Sequence, residues 1–173
     1  MADNFPSSSR MVFRQAVLAD APFILRMLNE PDYHRFIGDK GVSDITAAEQ
    51  HISEKILASF KTYGFGLWIV ETKIGCCPIG TCGLVNRPGF EHPDLGYSFL
   101  SEFHGQGYAI EAARAVIEFS ERALKINHLL GIVVPENIRS IRVLRKCGFS
   151  RVRETTFPST GELIDLYARN GEK

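Results

Sequence analysis

No run of apolar residues in the chain approaches the roughly 20 that a membrane-spanning helix requires. The opening stretch, MADNFPSSSR, lacks the apolar segment of a secretory signal and reads as a short disordered leader over residues 1–10. A cytoplasmic protein with no membrane partner is the expectation. An excess of either charge is also missing. Lys plus Arg and Asp plus Glu both number 20, so the formal net charge is zero and the basic footprint of a dedicated nucleic-acid binder is absent. Cysteine is scarce. Cys76 and Cys77 are adjacent, Cys82 and Cys147 stand alone, and no C-x2-C pair offers zinc-ligand spacing. No metal is expected, and the thiols read as small buried strand residues. Repeats, linkers and a second composition zone are absent too.

What remains is 173 residues, 45% of them apolar, enough for one ordinary core; residues 11–173 read as a single domain. Residues 11–17 alternate as a first strand. Asp20 can cap a helix carrying Phe23, Ile24, Met27 and Leu28 at helical spacing. Residues 29–41 are rich in turn formers. A second helix opens at Ser43 or Asp44, with Ile52, Ile56, Leu57 and Phe60 as its stripe. After Gly64 the period changes, and FGLWIVET, PIGTCGLVN and PDLGYSFL read as three strands of an antiparallel meander. A long helix follows to about Leu124, striped by Ala112, Val116, Phe119 and Ala123. Then come the strand HLLGIVV, a short helix stopping at Gly148, and two final strands around residues 158–161. The order is β α α β β β α β α β β, a mixed α/β (α+β) domain.

Between the meander and the long helix lies FHGQGYAIEA. A dinucleotide fingerprint wants a third glycine after Gly105 and Gly107, and a P-loop wants a terminal G-K-[ST]; both are missing. A strand, a glycine-rich loop and a helix nevertheless leave backbone N–H groups unpaired at the positive end of a helix dipole, a setting that suits a diphosphate. Taken alone, the stretch is either such an anion site or an ordinary turn.

A second motif breaks the tie. PENIRSIRVLRKCGF follows a strand directly and places Asn137, Ser140 and Gly148-Phe149 at fixed offsets, about 30 residues beyond the glycine loop. The pair resembles motifs A and B of the GNAT superfamily of N-acetyltransferases. ADAPFILRMLNEPDYHRFIG, LGYSFLSEFHGQGYAIEAARAVIEFS and NIRSIRVLRKCGF are similar to its RimJ/RimL-type branch, the ribosomal-protein-alanine acetyltransferases and their relatives. The resemblance runs from about Val12 to Arg169. It implies a central, mostly antiparallel sheet of about seven strands, splayed between the fourth and fifth and flanked by about four helices. It also implies acetyl-CoA as cosubstrate and an amine acceptor, either a small molecule or a protein N-terminus. A monomer or a homodimer fits the branch.

Residue by residue, the resemblance implies that the Phe99 and Leu100 backbone pairs with pantetheine. The amides of Gly105, Gln106, Gly107, Tyr108 and Ala109, with His104 beside them, would hold the pyrophosphate. Asn137 would bond the pantetheine arm, and Arg142 and Lys146 would serve the phosphates or adenosine, or else be solvated helix charges. Ser140 matches a serine near the sulfur and is either a donor to the departing thiolate or a helix-cap residue. Asp94 stands at the mouth of the splay as a candidate base, with Glu91, His92 and His104 as alternatives. Tyr33, Phe36 and Trp68, with Phe65, would line the acceptor, or else belong to the core. The chain also departs from the pattern. Leu144 occupies the place of a frequent tyrosine acid, Glu102 that of Gln or Arg, and His104 that of a common tryptophan. These departures leave open a degenerate GNAT domain that binds acetyl-CoA as a sensor.

Overall fold

In the computed structural model, which describes residues 5–170, seven strands form one sheet in the order β1-β2-β3-β4-β5-β7-β6. They are β1 (Met11–Arg14), β2 (Leu67–Thr72), β3 (Pro78–Val85), β4 (Asp94–Phe99), β5 (Leu129–Val133), β6 (Ser150–Thr156) and β7 (Leu163–Arg169). Every neighbouring pair is antiparallel except β4 with β5. The helices are α1 (Ala21–Leu28), α2 (Pro31–Phe36), α3 (Ile45–His51), α4 (Ala58–Tyr63), α5 (Tyr108–Phe119) and α6 (Ile138–Lys146). A π-helical segment, Ile52–Leu57, joins α3 to α4, so the expected second helix is one continuous body. The additional helix is α2, in the turn-rich segment. It buries none of its residues, so no apolar stripe marks it in the sequence.

Alternation along the strands divides the core in two. Trp68 and Val70 of β2 join Leu95, Phe99, Ala112, Val116 and Phe119 on one face, whereas Ile69 joins Ile24, Met27, Ile52 and Leu100 on the other. Trp68 was expected at the acceptor. It is instead 2% exposed, packed edge-on against Phe60 and Phe119, and belongs to the α5-side core.

Several local expectations shift for identifiable reasons. Asp44 caps α3 by accepting from the Ala47 amide at 2.8 Å. Asp20 precedes α1 but gives it no side-chain cap. Its carboxylate is drawn to the Arg14 guanidinium at 2.7 Å and to the Val17 amide at 2.8 Å. Ala123 leaves the α5 stripe because Ser120–Leu124 is a π turn, whose additional residue per turn carries Leu124 against the core in its place. Cys82 and Cys147 are buried as expected, but Cys76 and Cys77 sit exposed in the β2–β3 turn. Residues 1–4 of the expected leader lie outside the described residues. Ser7 to Arg10 are tied down: Ser7 bridges Val12, and Ser9 and Arg10 both bond Glu111 of α5.

Candidate active site

β4 and β5 meet in register at one point, Asp94 opposite Leu130, supported by the Leu130 amide donating to the Pro93 carbonyl at 3.0 Å. Beyond it they share no further paired position, while β3 stays paired with β4 from Val85–Asp94 to Gly80–Phe99. A V therefore opens between β4 and β5. Because Leu100 donates to Ile79 at 2.9 Å, the antiparallel alternation turns the backbone groups of Ser98 and Gly96 toward β3 and those of Phe99 and Tyr97 toward the V. Leu100 was expected to offer its backbone here. Its amide is committed to β3 and its carbonyl accepts from Phe103, so Tyr97 is the strand residue that shares this edge with Phe99.

A 3-10 turn, Ser101–Phe103, leads from β4 into the glycine loop. Glu30 holds it by accepting from the Ser101 amide at 2.9 Å, and Arg26 pairs with Glu102 at 2.5 Å. The unusual Glu102 thus anchors α1 to the loop. Gly105 and Gly107 follow with φ of +76° and +82°, left-handed conformations that side chains rarely adopt. A Cβ on Gly105 would meet nothing within 4 Å, so the space above it is open. Among the described residues, none of the amides of residues 105–109 donates a hydrogen bond to another residue; they lead into the first turn of α5. The guanidinium of Arg10 lies beside this loop. It donates to the Gln106 carbonyl at 3.1 Å, covers the Tyr108 ring at 4.3 Å and pairs with Glu111 at 2.6 Å. Burial would raise the Glu111 pKa, but bonds from the Arg10 amide and side chain outweigh it and hold the carboxyl down at about 2. Sequence reasoning missed Arg10, because the only signal for it was a leader assigned no structure.

At the opposite wall, Asn137 caps α6. Its Oδ1 accepts from the Ser140 amide at 3.1 Å, which leaves its Nδ2 hydrogens without a partner among the described residues. Ser140 Oγ lies 2.7 Å from the Tyr97 hydroxyl. Arg142 and Lys146 project into solvent on one side of α6, and their side chains form no ion pair among the described residues. Arg139 spans the opening. Its guanidinium donates to Asp32 of α2 and, at 3.1 Å, to His104 Nδ1, while His104 Nε2 donates to the Phe99 carbonyl at 2.8 Å. The two partners fix the histidine tautomer.

Asp94 does not stand at an open mouth. It sits where the V closes, 2% exposed, with Oδ1 accepting from Arg87 Nε at 2.7 Å. Burial pushes its pKa up, against the pull of Arg87. A carboxylate so enclosed serves the ion pair before it serves an incoming amine. Tyr33 and Phe36 share one side of α2 and are half-buried. Burial raises the Tyr33 pKa to about 12, against the opposing charge of Arg87.

The acetyltransferase (GNAT) domain family matches residues 10–150. The chain belongs to the GNAT acetyltransferases. Among GNAT relatives, p20 of Bacillus licheniformis, an uncharacterized N-acetyltransferase, is 25% identical over 92% of this chain and 91% of its own. The uncharacterized YkkB of Bacillus subtilis is 36% identical over 51% of this chain, a match that spans about half (52%) of YkkB. The ribosomal-protein-S5-alanine acetyltransferase of Vibrio fischeri shares the fold, with a TM-score of 0.73 at 19% identity over 94% of both chains. The GNAT domain is an acetyl-CoA-dependent acetyltransferase, and the seven-stranded sheet with one parallel pair is its fold. The residues around the V fit such a cosubstrate: open space over Gly105, free amides at a helix start, strand groups facing the gap and a free Asn137 amide.

Proposed function

We propose that this GNAT domain, residues 11–173, transfers the acetyl group of acetyl-CoA to a primary amine, on a small molecule or a protein N-terminus. The observation that carries the reading is the single β4–β5 pairing at Asp94–Leu130, with free loop amides at one end of the V and Ser140 beside it. In this reading the amides of residues 105–109 hold the pyrophosphate without any need for the cation that Glu102 replaces. Phe99, with the Asn137 Nδ2 group, receives the pantetheine arm, and Arg142 and Lys146 offer solvent-facing charges to the phosphates. The Tyr97 amide, turned toward the V, is a donor for the carbonyl oxygen as negative charge develops on it. Ser140 donates to the sulfur. Tyr33 and Phe36 of α2 shape the acceptor side.

Chemically, acetyl-CoA supplies an activated acyl group, and the chain orients it and excludes water. An amine attacks only in its neutral form, so its proton must leave before or during attack. With Asp94 closed off by Arg87, we assign that proton to water in the V.

A thiol-release assay with acetyl-CoA across polyamines, amino acids, aminoglycosides and N-terminal peptides tests the reading. Turnover on one class supports it. Tight binding of acetyl-CoA without turnover on any acceptor favours the sensor reading, for which the Leu144 substitution speaks. Failure to bind acetyl-CoA overturns both.

A further inference from the structure

Many GNAT enzymes place a tyrosine where this chain has Leu144. Leu144 is 1% exposed, and its two methyl groups lie 2.7 and 2.9 Å from where a Cβ on Gly131 of β5 would stand, so this position of α6 belongs to the core. A phenol nevertheless reaches the start of the helix from the strand. Tyr97 leaves β4 beyond the Asp94–Leu130 pairing, on the face shared with Leu95 and Phe99. Its hydroxyl lies 2.7 Å from Ser140 Oγ and 3.1 Å from the Ser140 carbonyl oxygen.

Tyr97 has one hydroxyl hydrogen and two acceptors within reach, which defines two arrangements. In one, Tyr97 donates to the carbonyl and the Ser140 hydrogen is spent on the Tyr97 oxygen. In the other, Tyr97 donates to Ser140 Oγ and releases the Ser140 hydrogen toward the V. Exchange between them rotates two hydroxyl hydrogens and moves no heavy atom. Because the pair bridges β4 and α6, the hydrogen is aimed from a rigid strand rather than from a loop.

We propose that Tyr97 is the positioning residue for Ser140: it donates to Ser140 Oγ and thereby turns the Ser140 hydrogen onto the sulfur of acetyl-CoA as the thiolate departs. The proposal rests on the acetyl-CoA reading above. In the reaction the amine nitrogen forms a bond to the carbonyl carbon, the carbon–sulfur bond breaks, and its electron pair goes to sulfur. Nitrogen loses one proton to water. Sulfur gains one from water in the V, after the Ser140 hydrogen bond has stabilised its charge, and the Tyr97 and Ser140 hydroxyls both keep their own hydrogens. Burial raises the Tyr97 pKa, more than the Ser140 bond lowers it, so the phenol keeps its hydrogen throughout the working pH range. A hydrogen bond to an ionised sulfur in a secluded site is stronger than one to the neutral thioester, which is the difference that accelerates a reaction.

Tyr97→Phe removes one oxygen and keeps the ring. Three measurements on this variant, Ser140→Ala and the double variant test the role. They are acetyl-CoA affinity by calorimetry, ultraviolet titration of the thiol of bound CoA, and kinetics with the most active amine. Acetyl-CoA affinity is expected to stay as in the parent protein. The bound thiol is expected to titrate about one unit higher in each single variant, and no higher in the double, because the hydroxyls act as one donor. Turnover is expected to fall about tenfold at unchanged KM. A bound thiol that titrates in Tyr97→Phe as in the parent protein overturns the role, as does a double variant in which the two shifts add. Should Tyr97→Phe not fold, a fluorotyrosine at position 97, more acidic at nearly the same size, is expected to lower the thiol titration; an unmoved titration overturns the role. If the parent protein binds no CoA, the acetyl-CoA reading falls and this proposal with it, whereas binding with an unmoved thiol removes the Tyr97 role alone.

Discussion

The ring of His104 closes over the carbonyl of Phe99, with Nε2 donating at 2.8 Å, and Arg139 holds the ring from its other side at 3.1 Å. The carbonyl so covered is one of the strand groups facing the V. A ligand that is to use it must first move the histidine. His104→Ala is expected to speed acetyl-CoA association several-fold, and Arg139→Ala to do so more weakly, because it only frees the ring. Stopped-flow binding measures both; unchanged or slower association in His104→Ala would place the ring outside the entry path.

Gly105 is the position where charge should harm binding with least harm to folding. Its φ of +76° favours glycine, but aspartate tolerates the left-handed region better than most residues, and nothing lies within 4 Å of a new Cβ. Gly105→Asp is expected to cost about 1 kcal/mol in stability. It should weaken acetyl-CoA binding by about tenfold or more through repulsion of the phosphates. Calorimetric titration alongside a melting curve separates the two effects.

Loss of Asp94 should show in stability rather than in catalysis. Asp94→Ala leaves Arg87 without its carboxylate in a half-buried setting, at an expected cost of about 2 kcal/mol by chemical denaturation. Turnover per folded molecule should fall far less than the roughly hundredfold that loss of a general base produces. A loss that large would return Asp94 to the role of base.

Leu144→Tyr should not restore a catalytic acid. The side chain is core, facing the close approach of Gly131, and the larger ring is expected to cost about 1–3 kcal/mol without raising turnover. Faster turnover in a folded variant would show that the phenol had reached the V.

Acid stability should report on Arg10 and Glu111. The folded carboxyl titrates at about 2, below its ordinary 4.5, so its stabilisation is fully present above about pH 4.5 and is lost as the pH falls toward 2. Glu111→Gln is expected to lose about 1 kcal/mol at neutral pH and to melt with a flatter pH dependence over that window. A variant whose melting falls with acid as steeply as the parent's would assign the acid sensitivity to other groups.

The strands, the loop and the α6 start were legible because local rules govern them. The runs after Gly64 form β2, β3 and β4, Asp44 caps the helix expected to open there, and Gly148 adopts the positive φ expected where α6 stops. The helix α2 escaped because six residues that bury nothing carry no periodic signal. The surroundings of Trp68 and Asp94 differ from the expectation for another reason. Their residue types suit a site as well as a core, and only the packing of α5 on β2, or of Arg87 on β4, decides between them.

The sequence by itself determined the order of the seven strands and of every helix but α2, together with the presence of both GNAT motifs, since each depends on residues within a few positions of one another. The contacts that give the site its chemistry join residues far apart in the chain. Arg10 and Glu111 are separated by 101 positions, and Tyr97 and Ser140 by 43. Such pairs exist only once the sheet order brings their strands and helices together, so the tertiary structure alone decided which side chains guard the V and which are spent on holding it open.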